Sequence, residues 1–76
     1  MMTTKFIIQM KMSTRPDLEY FYCGEGKSRA QVFELKKSRA KRYDTMEEAS
    51  RDAFILQVVH KASGETYTVL PIRCRT

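Results

Sequence analysis

Lys36-Lys37-Ser38-Arg39-Ala40-Lys41-Arg42-Tyr43-Asp44-Thr45-Met46-Glu47-Glu48-Ala49 decides how this chain is read. Five of its first seven residues are cations. Thr45-Met46-Glu47-Glu48 then matches the S/T-x-x-E capping box. Thr45 Oγ1 is placed to accept from the Glu48 amide, and the Glu48 carboxylate to reach back to the Thr45 amide. Early carboxylates also suit the positive end of a helix dipole. The stretch therefore divides a segment of extended pattern from a helix, and it sets a dense positive patch on the approach to that helix.

Upstream, Phe6, Ile8, Met10 and Met12 alternate with Lys5, Gln9 and Lys11, which predicts a strand with one face on a core and Ile7 as the exception. Ser13-Thr14-Arg15-Pro16-Asp17 reads as a turn. Leu18 to Cys23 is aromatic-rich and reads as the return strand of a hairpin. Gly24-Glu25-Gly26-Lys27-Ser28-Arg29 is a polar loop. It lacks the GxxxxGK[ST] spacing of a phosphate loop. Gln31 to Lys36 reads as a third strand, and Ser38 to Tyr43 as irregular chain or a short edge strand.

Downstream, Met46, Ala49, Ala53, Leu56 and His60 recur at steps of three and four, the stripe of an amphipathic helix. Phe54 to Val59 is apolar nearly all round, so the pattern leaves a strand open there. A helix to about Lys61 with Gly64 near its C-cap is the preferred reading. If it is a helix, its second apolar side implies burial against a partner as well as the sheet. Thr66 to Leu70 is a strand. Pro71 places it at an edge or ends it. The expected class is α+β: a three- to four-stranded antiparallel sheet with one helix packed on a face. Its core is expected to be Phe6, Ile8, Met10, Phe33, Leu35, Ala49, Ala53, Leu56 and Val69.

Length and charge limit the function. Seventy-six residues make a single domain over 1–76. A chain this short buries only roughly 60% of the surface its unfolded state exposes. There is hardly room for a deep pocket, and binding on an exposed face is the economical use of such a fold. The formal charge is +5, which puts nucleic acid and acidic proteins among the expected partners. The carboxylates Asp44, Glu47, Glu48 and Asp52 cluster just past the cations, so the surface is bipolar. No apolar run approaches membrane-spanning length, and the N-terminus lacks a signal-peptide core. The expectation is a cytoplasmic protein, monomeric or a small homo-oligomer. Cys23 and Cys74 form no CxxC and are read as reduced thiols, although a bridge is open if their strands are neighbours.

The expected partner-binding residues are Lys36, Lys37, Arg39, Lys41 and Arg42, with Tyr20 and Tyr22 as exposed aromatic anchors. The alternative for Tyr20-Phe21-Tyr22 is that the tyrosines pack under the helix. His60 reads as a capping or packing residue near a helix end. No Ser/His/Asp or Cys/His arrangement offers itself, so no catalytic residue, cofactor or metal site is expected.

Ala40-Lys41-Arg42-Tyr43-Asp44-Thr45-Met46-Glu47-Glu48-Ala49, followed by Tyr67-Thr68-Val69-Leu70-Pro71-Ile72, resembles the A-K-R-F-x-T-x-E-E-A helix entry and V-x-P-[IV] closing strand of small bacteriophage and mobile-element accessory proteins. The resemblance covers the second half of the chain. It implies a non-enzymatic, anti-CRISPR-like or other anti-defence inhibitor or adaptor in a bacterial host, blocking a surface of a host protein that handles nucleic acid. The strands-then-helix order with a basic sheet is also similar to the AP2-like arm domains of phage integrases. That likeness implies a small DNA- or RNA-binding module. Those domains end at the helix, whereas this chain continues with a strand.

Overall fold

The computed structural model describes residues 2–25, 31–59 and 64–75. The elements are β1 Met2–Met12, β2 Arg15–Glu25, β3 Gln31–Glu34, α1 Met46–Val59 and β4 Glu65–Arg75. The strands form one antiparallel sheet in the order β3-β2-β1-β4, and α1 packs on one face. This is the α+β architecture that the sequence predicts.

The β1–β2 hairpin turns tighter than Pro16 suggests. Met12 pairs with Arg15, so the turn is only Ser13-Thr14. Arg15, Pro16 and Asp17 belong to β2. The register shifts between Met10↔Tyr20 and Met12↔Arg15, leaving extra residues on β2 as a bulge. A bulge is where a strand tolerates proline. Gly64 backs onto this turn. It has φ +70 and its carbonyl accepts from the Ser13 amide. A Cβ there would lie 2.8 Å from Ser13 Oγ.

β1 pairs with β2 only between Gln9 and Met12, yet with β4 along its whole length. Beyond Gln9 the strands β1 and β2 part, and residues 41–43 fill the gap. Phe6 and Tyr43 exchange both backbone hydrogen bonds, at 2.9 and 2.8 Å, and the Lys41 amide donates to the Tyr22 carbonyl at 2.8 Å. The basic stretch is thus not an edge strand. It leaves β3 after Glu34, makes a 3-10 turn over Lys37–Arg39, and crosses the sheet from one face to the other. Ala40 packs with Ile7 and Phe21 on the face opposite α1. Tyr43 packs with Ile8, Tyr22, Ala49, Ala53 and Leu56 beneath α1.

This crossing accounts for most departures from the expected core. Ile8, Met10, Ala49, Ala53 and Leu56 are buried, and Phe6, Phe33 and Val69 pack partly buried against the helix-side cluster. Ile7 is also fully buried, because Ala40, Phe21, Leu70 and Ile72 cover the second face. Leu35 is corrected: it is 56% exposed, since the chain has already left β3 for the crossing.

α1 settles residues 54–59 as helix. Its cap is half of the expected box. Thr45 Oγ1 accepts from the Glu48 amide at 3.2 Å, but it donates to the Glu48 carboxylate at 3.1 Å instead of leaving that carboxylate to the Thr45 amide. His60 and Lys61, with the Gly26–Arg29 part of the loop, lie outside the described residues. Pro71 does sit in an edge strand, which continues past it to Arg75. Phe6 spends its amide and carbonyl on Tyr43, so its partner Pro71 must direct its backbone away from β1. The missing amide therefore falls on the outer edge of the sheet.

Ile7→Thr separates the two readings of β1. On a solvated face the change would shift stability by within about 0.5 kcal/mol. At a buried site it removes methyl surface and buries a hydroxyl, and should cost about 2 kcal/mol or more in urea unfolding.

Candidate functional site

The seven residues expected to bind a partner do not form one surface. Lys36, Lys37, Arg39 and Arg42 are exposed, and none makes an ion pair with a described residue. The 3-10 turn rests on β2, and Ala40 anchors the stretch to the Ile7 and Phe21 cluster. Four cations are thereby held on a connection whose path is fixed by the sheet. Lys36 and Arg39 border an open groove of about 500 Å³, walled by Tyr20, Phe33, Glu34 and Leu35.

Lys41 differs from its neighbours. In the extended crossing, alternate residues face opposite sides, so Lys41 and Tyr43 both turn toward α1. The Lys41 ammonium lies 5.1 Å above the Tyr43 ring and 3.8 Å from Asp52 Oδ2. Tyr43 Oη donates to the same Asp52 oxygen at 2.5 Å. Lys41 is thus turned to contacts within the molecule while half of its side chain stays in solvent. Asp44, the next acid along, pairs with Lys5 of β1. Two clefts meet at Lys41 and Asp52. One of about 280 Å³ is bounded by Tyr22, Glu25, Ile55 and Leu56. The other, about 270 Å³, is bounded by Arg42, Asp44, Glu48 and Arg51.

Tyr22 is corrected as an exposed anchor. It is 6% exposed in the helix-side core, its ring 5.4 Å from that of Phe33. Phe21 is buried on the other face, because the crossing covers both sides of β2 there. Tyr20 is half-buried. Tyr43, next in sequence to the cations, is 5% exposed. For Tyr22 this is the alternative that the alternation leaves open, a tyrosine under the helix, whereas the cover over Phe21 comes from far along the chain.

Burial raises the pKa of several phenols and of one thiol. Burial, the bond to Asp52 and the charge of Asp52 push the Tyr43 hydroxyl well above the usual tyrosine range. Burial and Glu65 do the same to Tyr67. The Cys23 thiol is raised by burial, then by its contact with Glu34. A Cys23–Cys74 bridge does not form. β1 separates β2 from β4, and a spacing of about 10 Å across two strands exceeds what a disulfide spans. Among the described residues no group of three or more His, Cys, Asp or Glu could hold a metal ion. None of the described helices is long and apolar enough to cross a membrane.

The more unusual surface lies on α1. Phe54, Ile55, Val58 and Val59 of α1 are 70, 48, 57 and 62% exposed. Comparison with family models, with curated proteins and with solved structures gives no match to this chain.

The Tyr43–Asp52 bond predicts an alkaline limit to stability. Tyr43 has its pKa raised on folding, so its contribution is complete below the unfolded value of about 10 and is lost as pH rises through that value toward the folded one. Above about pH 10 the unfolded chain binds fewer protons, and stability should fall by about 1.4 kcal/mol per pH unit for this group. Tyr43→Phe should cost about 1–2 kcal/mol near neutrality and should flatten the alkaline slope by one proton. Urea titrations across neutral and alkaline pH measure both.

Proposed function

We propose that this protein is a non-enzymatic inhibitor or adaptor of the phage accessory type, binding an acidic surface of a host protein through Lys36, Lys37, Arg39 and Arg42. The observation that carries the reading is their placement. All four are exposed and without ion pairs to described residues, on a connection tied into the sheet at Ala40 and Tyr43. A cationic surface held in a fixed shape meets an acidic partner with less ordering cost than a free tail does.

The nucleic-acid reading draws on the same cations, but of the expected aromatic anchors only Tyr20 stays half-exposed. Tyr22 and Tyr43 are buried, and the Phe33 ring packs between those of Tyr22 and Tyr67. Single-strand binding relies on exposed aromatic faces. An acidic protein surface needs only the charges.

Reversal of Lys37, Arg39 and Arg42 to Glu tests this. Lys41 is left intact because it is part of the internal Asp52 contact. Each substitution should change stability by within about 0.5 kcal/mol, whereas like charges facing a partner cost several kcal/mol. The expected outcome is an unchanged melting temperature and loss of the host protein that the parent retains from nuclease-treated bacterial lysate. Equal capture by the variant would reduce the stretch to a solubility feature. Parent binding to random duplex or single-stranded DNA at physiological salt, with a steep negative salt slope, would favour the nucleic-acid reading instead.

A further inference from the structure

The corner of the sheet where β3 ends is only partly roofed, because α1 lies mainly over β4 and β1. Tyr20 and Phe33 turn to the same face as Tyr22, but they stay half-buried. Leu35, 56% exposed, carries this apolar wall past the end of the strand. The Phe33 ring is held 5.4 Å from that of Tyr22 and 6.2 Å from that of Tyr67, so the wall is set before anything binds. Lys36 and Arg39, at the two ends of the 3-10 turn, line the same groove of about 500 Å³. Ligand clefts commonly span about 300–1,000 Å³. Glu34 also borders the groove. It alternates to the opposite side of β3 from Phe33, and its carboxylate accepts from the Cys23 thiol at 3.5 Å. The groove thus joins an apolar side to a cationic one.

We propose that this groove seats a short segment of a partner protein in which an aromatic or large aliphatic residue lies beside a carboxylate. The apolar side chain rests on Tyr20, Phe33 and Leu35, and the carboxylate meets Lys36 and Arg39. This rests on the acidic-partner reading of the cations and deepens it, by naming the part of the partner that is recognised.

Charge complementarity selects the occupant. An uncharged apolar segment would set two partly desolvated cations against apolar surface without a counter-charge. An acidic stretch with no apolar side chain would leave the wall wet, and burial of a large apolar side chain is the main source of affinity in such a contact. A small free carboxylate keeps much of its surface in water in so open a groove, whereas a segment is held at both ends by the protein that carries it. Nucleic acid supplies the charge, but with Tyr22 and Tyr43 buried there is no run of rings for successive bases.

Titration of the intact, isotope-labelled chain tests this by the shifts of its backbone amides. The probe is a short capped glycine–serine peptide carrying phenylalanine flanked by two aspartates, added to millimolar concentration. The expected result is saturable shifts at Tyr20, Leu35, Lys36 and Arg39, and none along α1. Serine in place of the peptide's phenylalanine should weaken binding about tenfold. Asparagine in place of its aspartates should weaken it several-fold, more so at low salt. Leu35→Ser and Arg39→Gln should each weaken it with the melting temperature unchanged, whereas Val58→Ser, an equally exposed site on α1, should not. Absence of saturable shifts, or equal binding of the peptide without phenylalanine, overturns the groove. So does a short single-stranded DNA that shifts the same amides more strongly. Lys37 and Arg42 lie outside the groove. Joint reversal of these two to Glu therefore reads the broader acidic-partner assignment alone: host capture unchanged by that pair counts against the assignment, while the peptide titration still reads the groove.

Discussion

Two backbone hydrogen bonds between Phe6 and Tyr43 hold the rest of this structure in place. They draw the eleven-residue connection between β3 and α1 into the sheet, where it takes the position that β2 vacates beside the first half of β1. Without them the parted strands would leave a row of amides and carbonyls facing nothing, at a cost of about 1–3 kcal/mol for each buried group. The same crossing delivers Ala40 to one face and Tyr43 to the other. Each of the two hydrophobic clusters therefore contains a residue from a stretch whose composition is mainly cationic.

The crossing also sorts the charges. Its alternation turns Lys41 toward α1, where Asp52 and the Tyr43 ring receive it. Lys36, Lys37, Arg39 and Arg42 remain in solvent. Asp52 accepts from Tyr43 and faces Lys41, and so ties the helix to the crossing. The bipolar charge pattern is in this sense structural on one side and solvent-exposed on the other. Since α1 packs by small residues, Ala49 and Ala53, with Leu56 as its one large buried side chain, it sits close to the sheet and keeps its larger apolar residues outside.

Elements with local causes are legible in the residues themselves. Period-two alternation placed β1, the Thr45–Glu48 spacing placed the start of α1, and the three- and four-residue recurrence of Ala49, Ala53 and Leu56 selected its buried stripe. These signals depend on neighbours within a few residues, so they are legible without the fold. The cationic character of residues 36–42 was equally plain. Tertiary structure alone decided which of those cations are free, why Ile7 and Tyr22 are buried while Leu35 is exposed, and that β1 keeps the two cysteine strands apart. All but the last depend on residues 40–43 passing between β1 and β2, a pairing of Phe6 with Tyr43 across 37 positions of chain. Backbone hydrogen bonds make that pairing, and they carry no side-chain signature for a sequence to display.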